Sequence, residues 1–180
     1  MNPDEWARQT EADRQEKDRF FQMGYQSPIP LEEREDFHGL DYYPPDMKYR
    51  FELVLVEHPQ KDIVRIQDTQ GNIRQLISHG EFRFNIDGVE YRLQAYKSRS
   101  QEEGLFIPFR DLTSGKATYG AGRYLDLSPA RDQMPGGEWV LDFNKAYNPW
   151  CAYSKDYACP FTPPENWLEV EIRAGEKDYK

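Results

Sequence analysis

The chain contains no run of apolar residues approaching the roughly twenty that a membrane-spanning helix needs. Its first residues, Met1-Asn2-Pro3-Asp4-Glu5, are not the basic and then apolar segment of a secretory leader. The expected location is therefore the cytoplasm, with no membrane contact. Basic charge is also short: 23 Lys and Arg stand against 32 Asp and Glu, a formal charge of -9. That balance repels phosphate backbones and offers no basic stripe, which argues against nucleic acid as a partner. Cysteine is limited to Cys151 and Cys159, whereas a small secreted scaffold would carry more. With no second close Cys or His pair, these two do not complete a tetrahedral zinc site, so no metal is expected. Two buried thiols are expected in place of a disulfide across their loop. His38, His58 and His79 sit in no Cys/His signature. Gly120-Ala121-Gly122 lacks the following helix that a phosphate loop requires. No nucleotide fingerprint, cofactor, internal repeat or low-complexity tract emerges.

What is present suits a β protein. The chain of 180 residues is long enough for one real core, and its 10 Phe, 12 Tyr and 4 Trp favour strands and supply core volume. Residues 1–26 read as a helical arm and 27–180 as one antiparallel β domain. In the arm, Asn2 can cap, Pro3 suits the first turn, Asp4 and Glu5 favour the positive end of the dipole, and Gly24 offers a stop, predicting a helix from Pro3 to Met23. Its middle is polar, with Asp13 and Lys17, and Arg14 and Asp18, spaced to pair along an exposed face. The arm is thus expected to be solvated and docked by Phe20, Phe21 and Met23. Pro28, Pro30, Pro44 and Pro45 restrict the next stretch to a short acidic turn and a loop.

Beyond it, Tyr49, Phe51, Leu53 and Leu55 alternate with Arg50, Glu52, Val54 and Val56, the period of a strand. Ile63 to Gln67 and Ile73 to Ile77 flank a turn at Gln70-Gly71-Asn72. At Asp87-Gly88 a two-residue type I′ loop places Ile86 opposite Val89, Phe84 opposite Tyr91 and Phe82 opposite Leu93, all on one face. The other face carries Glu81, Arg83, Asn85, Glu90, Arg92 and Gln94, so turn chemistry and apolar pattern fix the same register. Further strands are expected at Leu105 to Phe109, Thr118 to Leu127, Trp139 to Phe143 and Trp167 to Ile172. A loop from Asn144 to Asn166 is long enough to be functional or to cover a core. The fold class is mainly β, an antiparallel barrel or a two-sheet sandwich with an N-terminal helical extension.

Two clusters could carry chemistry. Strand parity places Arg123 on the same face as Tyr119, Leu125 and Leu127, turned inward unless Gly120 or Gly122 marks a bulge. A buried guanidinium needs a carboxylate, with Asp111, Asp126 and Asp142 as candidates, or a bound anion. The second cluster, Asp142 through Tyr153, gathers Asn144, Tyr147, Asn148 and Cys151 just past a strand end, where a rigid sheet can present loop residues. Asn144 and Asn148 are also ordinary turn residues, and Cys151 serves as a nucleophile only where a base and positive surroundings lower its pKa.

Several motifs recur together: Phe109-Arg110-Asp111 with Thr113 and Gly115; Thr118-Tyr119-Gly120-Ala121-Gly122-Arg123-Tyr124; Asp142-Phe143-Asn144 with Ala146-Tyr147-Asn148-Pro149; Cys151-Ala152-Tyr153; Cys159-Pro160; Pro164-Glu165-Asn166; and Ala174-Gly175-Glu176-Lys177. In these the chain resembles the uncharacterised domain of unknown function 1684 family, from the N-terminal helix through Lys177. The resemblance implies no activity. It does imply a shared polar set at Asp111, Tyr119, Arg123, Asp142, Asn144, Tyr147, Asn148 and Cys151.

The leading expectation is a binding domain for a small acidic molecule. Its pocket would lie under the 144–166 loop, walled by Tyr119, Tyr124, Tyr147 and Trp150, with Arg123 as anchor and Asp142, Asn144 and Asn148 orienting the ligand. The alternatives are a hydrolase or transferase using Asp142 or Cys151, and a polar set that only ties the loop to the sheet.

Overall fold

The computed structural model describes residues 1–99 and 101–180, with positions 101 and 102 described by their backbone alone. Helix α1 spans Pro3–Met23, its N-cap Asn2 accepting the Asp4 and Glu5 amides at 2.9 and 3.4 Å, and Gly24 ends it. Eight strands follow: β1 (Arg50–Leu53), β2 (Val56–Glu57), β3 (Ile63–Gln67), β4 (Ile73–Ile86), β5 (Val89–Ser98), β6 (Gln101–Phe109), β7 (Arg123–Leu127) and β8 (Trp139–Asp142). One sheet runs β2-β4-β5-β6-β7 with β3 also on β4, and a second pairs β1 with β8; every strand pairing is antiparallel.

The two sheets share one core. Phe51 of β1 meets Phe84 of β4 at 5.2 Å between ring centroids, and Phe143, just past β8, lies edge-on to Phe109 of β6 at 5.2 Å. Phe82, Leu93, Ile107, Phe109, Leu141 and Phe143 are fully buried there. Among the described residues the strands close no barrel, so of the two architectures the sandwich remains. Closure would require β7 to pair back to the opposite edge, but the β7 edge instead takes the Asn144–Asn166 loop, through paired backbone bonds between Tyr124 and Tyr147 at 2.9 and 3.1 Å.

The hairpin register is as expected: Ile86 faces Val89, Phe84 faces Tyr91 and Phe82 faces Leu93. Asp87 and Gly88 both take positive φ, 51° and 83°, as a type I′ turn demands. Nothing lies within 4 Å of where a Gly88 Cβ would sit. Gly88→Ala is therefore expected to cost about 1 kcal/mol from backbone conformation alone, read as a lower urea midpoint with unchanged slope.

Three expectations are corrected. Trp167 to Ile172 alternates in burial as a strand would, with Leu168 and Ile172 inward, but it joins neither sheet. It lies beside the irregular segment after β6, Leu168 N–H donating to Arg110 O at 2.7 Å and Leu112 N–H to Val170 O at 3.0 Å. Of Thr118 to Leu127 only the last five residues are strand, because Gly122, at φ 99°, turns the chain just before Arg123. Helix α1 is exposed over much of its length and docked by Phe21 as expected, but Phe20 and Met23 are exposed, and a polar stripe does the rest of the docking. Trp6, Thr10, Arg14 and Phe21 are buried along one stripe, and the foreseen ion pairs give way to tertiary bonds: Lys17 to Glu176, and Asp18 to the Leu40 amide at 3.0 Å.

Candidate functional site

Arg123 is fully buried, turned inward with Leu125 and Leu127 by the pleat of β7. Its Nη1 donates to Ala174 O and, at 3.2 Å, to Glu176 O, while Nη2 donates to Ile172 O at 2.9 Å. Asp111 lies 3.6 Å from Nη2, and the guanidinium sits 5.1 Å from the Phe109 ring centroid. Burial lowers the arginine pKa, and Asp111, the nearest charge, raises it back in part. Asp111 in turn accepts the Ile172 amide at 2.6 Å and the Thr113 hydroxyl. Among the described residues Nε has no hydrogen-bond partner. The two terminal nitrogens are thus committed to the carbonyls of the C-terminal segment.

Two amides do similar work. Asn148 donates from its side chain to Lys177 O at 2.9 Å and from its backbone to the Glu176 carboxylate at 2.7 Å. Asn166, wholly buried, accepts the Gln94 amide and donates to Gln94 O and Pro108 O at 3.0 and 2.8 Å, bridging β5 and β6. Glu176 is 1% exposed and collects Lys17 Nζ, the Tyr153 hydroxyl and the Asn148 amide.

Asp142 and Asn144 belong to a second cluster under α1. Asp142 accepts the Trp6 indole N–H at 3.2 Å on one oxygen and, on the other, the Asn144 amide and side chain at 2.9 and 2.8 Å. Both oxygens are thus engaged in holding α1 and the turn after β8. Asn144 also exchanges two bonds of 2.9 Å with the Asp46 backbone. Arg14 spans the junction, donating to Tyr43 O at 2.8 Å and Asn144 O at 3.2 Å with its guanidinium 4.5 Å from the Tyr42 ring centroid.

Between α1, β7, β8 and the start of the long loop lies a cavity of about 360 Å³. Leu125, Leu127, Val140 and Ala146 supply apolar wall, and Asp142, Asn144 and Tyr147 of the foreseen set line it. Arg123, Tyr119 and Asn148 do not. Charged wall comes from Arg14, Lys17, Arg131 and Lys145 against Asp13, Asp126, Asp132 and Glu176. Several of these are spent on each other. Asp132 accepts the Ser128 amide at 2.9 Å and Arg131 at 2.8 Å, and Glu176 is filled as described. Donor capacity remains on Lys17, which gives one bond to Glu176, and on Lys145, whose nearest carboxylate is 3.9 Å away. Two buried wall atoms, Arg14 Nε and Tyr42 Oη, have no partner among the described residues. Asp126 takes the Tyr147 hydroxyl on one oxygen. The protein packed around this carboxyl raises its pKa, although the residue itself reaches water.

Tyr119 and Cys151 lie on another side of the long loop, the tyrosine hydroxyl 3.6 Å from Cys151 Sγ. Both cysteines are unpaired thiols, and the Cys151 amide donates to Cys159 Sγ at 3.3 Å. Hydrogen bonds from Cys159 and Tyr119 pull the Cys151 thiol down to about 6, while Cys159, beside a sulfur that ionises first, is pushed up. Among the described residues no three His, Cys, Asp or Glu side chains are placed to hold a metal, and no helix is long and apolar enough to cross a membrane.

Sequence reasoning missed Arg14, Lys17, Tyr42, Asp126 and Lys145 as cavity residues. The available signal was spacing: Trp6, Thr10 and Arg14 recur every four residues, the stripe of a docked helix. A polar stripe does not register as apolar periodicity.

Fold and site together define a class: an antiparallel two-sheet β protein whose N-terminal helix roofs a charged cavity. Residues 35–177 match the family described as protein of unknown function (DUF1684), and the chain belongs to that family. It is also similar to an uncharacterised protein of Haloarcula marismortui known from a solution NMR structure, at 42% identity and a TM-score of 0.72, over 97% of this chain and 95% of that one. No curated protein matches the chain.

Proposed function

We propose that this is a small-molecule binding domain whose site is the cavity roofed by α1, and that it takes a small carboxylate also bearing a hydroxyl or ammonium group. One observation carries this reading: the cavity wall keeps hydrogen-bonding capacity that the protein does not use, as donors on Lys17 and Lys145 and as one oxygen of Asp126. Its volume lies near the lower end of the roughly 300–1,000 Å³ usual for ligand sites, which suits a metabolite smaller than a nucleotide. Lys17 and Lys145 would hold the carboxylate and Asp126 the hydroxyl or ammonium, with Tyr147 at the wall between strand and loop. The acidic ligand inferred from sequence is retained and its anchor moves from Arg123 to these lysines. The terminal nitrogens of Arg123 already serve backbone carbonyls.

A panel of small hydroxy and amino carboxylates, followed by thermal shift and titration calorimetry, tests the reading. At least one member is expected to raise the melting temperature of the native protein. Lys145→Met should weaken its binding about tenfold or more, the worth of one charge-assisted hydrogen bond. Asp126→Asn should selectively weaken ammonium-bearing members. A panel that leaves native protein and variants equally unmoved would remove the proposal.

A further inference from the structure

We propose that Cys151 and Cys159 form a peroxide-reactive dithiol that closes reversibly to an intramolecular disulfide, a modification site separate from the cavity under α1. The two residues are already in contact. The Cys151 amide donates to Cys159 Sγ at 3.3 Å, and the Tyr119 hydroxyl stands 3.6 Å from Cys151 Sγ. Each partner is held by its own backbone. Cys151 sits in the 3₁₀ turn Trp150–Ala152, and Cys159 is tied to the β3–β4 turn, its carbonyl accepting the Thr69 amide at 3.0 Å and its amide donating to the Thr69 hydroxyl at 3.1 Å. Trp150 and Tyr157, packed edge to face at 5.2 Å, hold the intervening loop in its folded-back shape. Closing a disulfide therefore needs little further ordering of the chain.

Exposure assigns the two roles. Cys151 is partly open to solvent, whereas Cys159 is buried at 7% exposure, so an oxidant meets Cys151 first. Hydrogen bonds from Tyr119 and Cys159 to Cys151 favour its thiolate, the attacking form. The Cys151 sulfur attacks one oxygen of a hydroperoxide, forming an S–O bond and breaking the O–O bond. The departing alkoxide takes the proton that Cys151 gave up and leaves as an alcohol, or as water when the oxidant is hydrogen peroxide. Cys159 then attacks the Cys151 sulfenic acid. The S–S bond forms, the S–O bond breaks, and the hydroxyl leaves as water with the Cys159 proton. Two thiols lose two electrons in total and the peroxide gains them. An external thiol reverses the change by exchange.

The test uses the full chain and hydrogen peroxide at neutral pH, with iodoacetamide blocking afterwards and intact and peptide mass spectrometry as readout. The native protein is expected to lose two hydrogens, to resist alkylation at both positions, and to stay monomeric on a non-reducing gel. Cys159→Ser should instead accumulate a Cys151 sulfenic acid that dimedone traps. Cys151 should react about tenfold faster than a free thiol, because its larger thiolate fraction outweighs the lower nucleophilicity of a more acidic sulfur. Native protein that stays fully alkylatable after peroxide, or that cross-links between chains, overturns the proposal without reliance on any variant. So does a Cys151→Ser protein that consumes peroxide as fast as the native chain.

Discussion

Arg123→Met is expected to lower the free energy of unfolding by roughly 3–5 kcal/mol, the usual cost of removing one member of a buried charged network. The substitution leaves Asp111 buried with only neutral donors, and it strips three carbonyls, those of Ile172, Ala174 and Glu176, of their guanidinium partners. Arg123→Lys should recover little, since an ammonium cannot hold the forked geometry that reaches three acceptors at once. A ligand anchor would behave in the opposite way. Removing an uncompensated buried charge from an empty site tends to leave stability level or to raise it. Urea unfolding with matched slopes separates the two, and a loss below about 1 kcal/mol would remove the structural role assigned to Arg123.

The features legible in the sequence are those where local chemistry and burial demand the same thing. Asn2, Pro3 and Gly24 mark the ends of α1, and the Asp87-Gly88 turn forces the same pairing that the alternation of Phe82, Phe84 and Ile86 requires. Legibility fails where burial and pairing part company. Trp167 to Ile172 alternates correctly because Leu168 and Ile172 face the core, but its amides meet an irregular segment and not a strand. Periodicity reports which way a side chain faces and says nothing of what the backbone pairs with. The inward turn of Arg123 was readable from strand parity, and the cost of an unpaired charge left Asp111, Asp126, Asp142 or a bound anion as its partner, of which the structure supplies Asp111. That three of its bonds would go to carbonyls some fifty residues on was not, since backbone acceptors carry no residue signature. The cavity was hidden for a related reason. Its roof is a helix whose inward stripe is Thr10 and Arg14, residues that resemble a wet face until tertiary acceptors appear opposite them.

The same logic gives Glu176 an outsized part. Its own carbonyl accepts from Arg123, and its carboxylate ties the C-terminal segment to two other elements: α1 through Lys17, and the long loop through Asn148 and Tyr153. Glu176→Ala should leave a buried amide and a buried hydroxyl without acceptors and a lysine without its counter-charge. A loss of about 3 kcal/mol is expected, each orphaned donor contributing about one. The location of the damage is as diagnostic as its size. Because Lys17 lies in the C-terminal half of α1, amides from Arg14 to Met23 should exchange with solvent faster, while those of the β4–β5 hairpin, which Glu176 does not touch, should keep their protection. Glu176→Gln retains an oxygen for the Asn148 amide and should restore part of the loss. If Glu176→Ala unfolds at the native urea midpoint with helix exchange unchanged, then Trp6, Arg14, Asp18 and Phe21 hold α1 without help from Glu176, and the tie between the C-terminal segment and the roof of the cavity is dispensable.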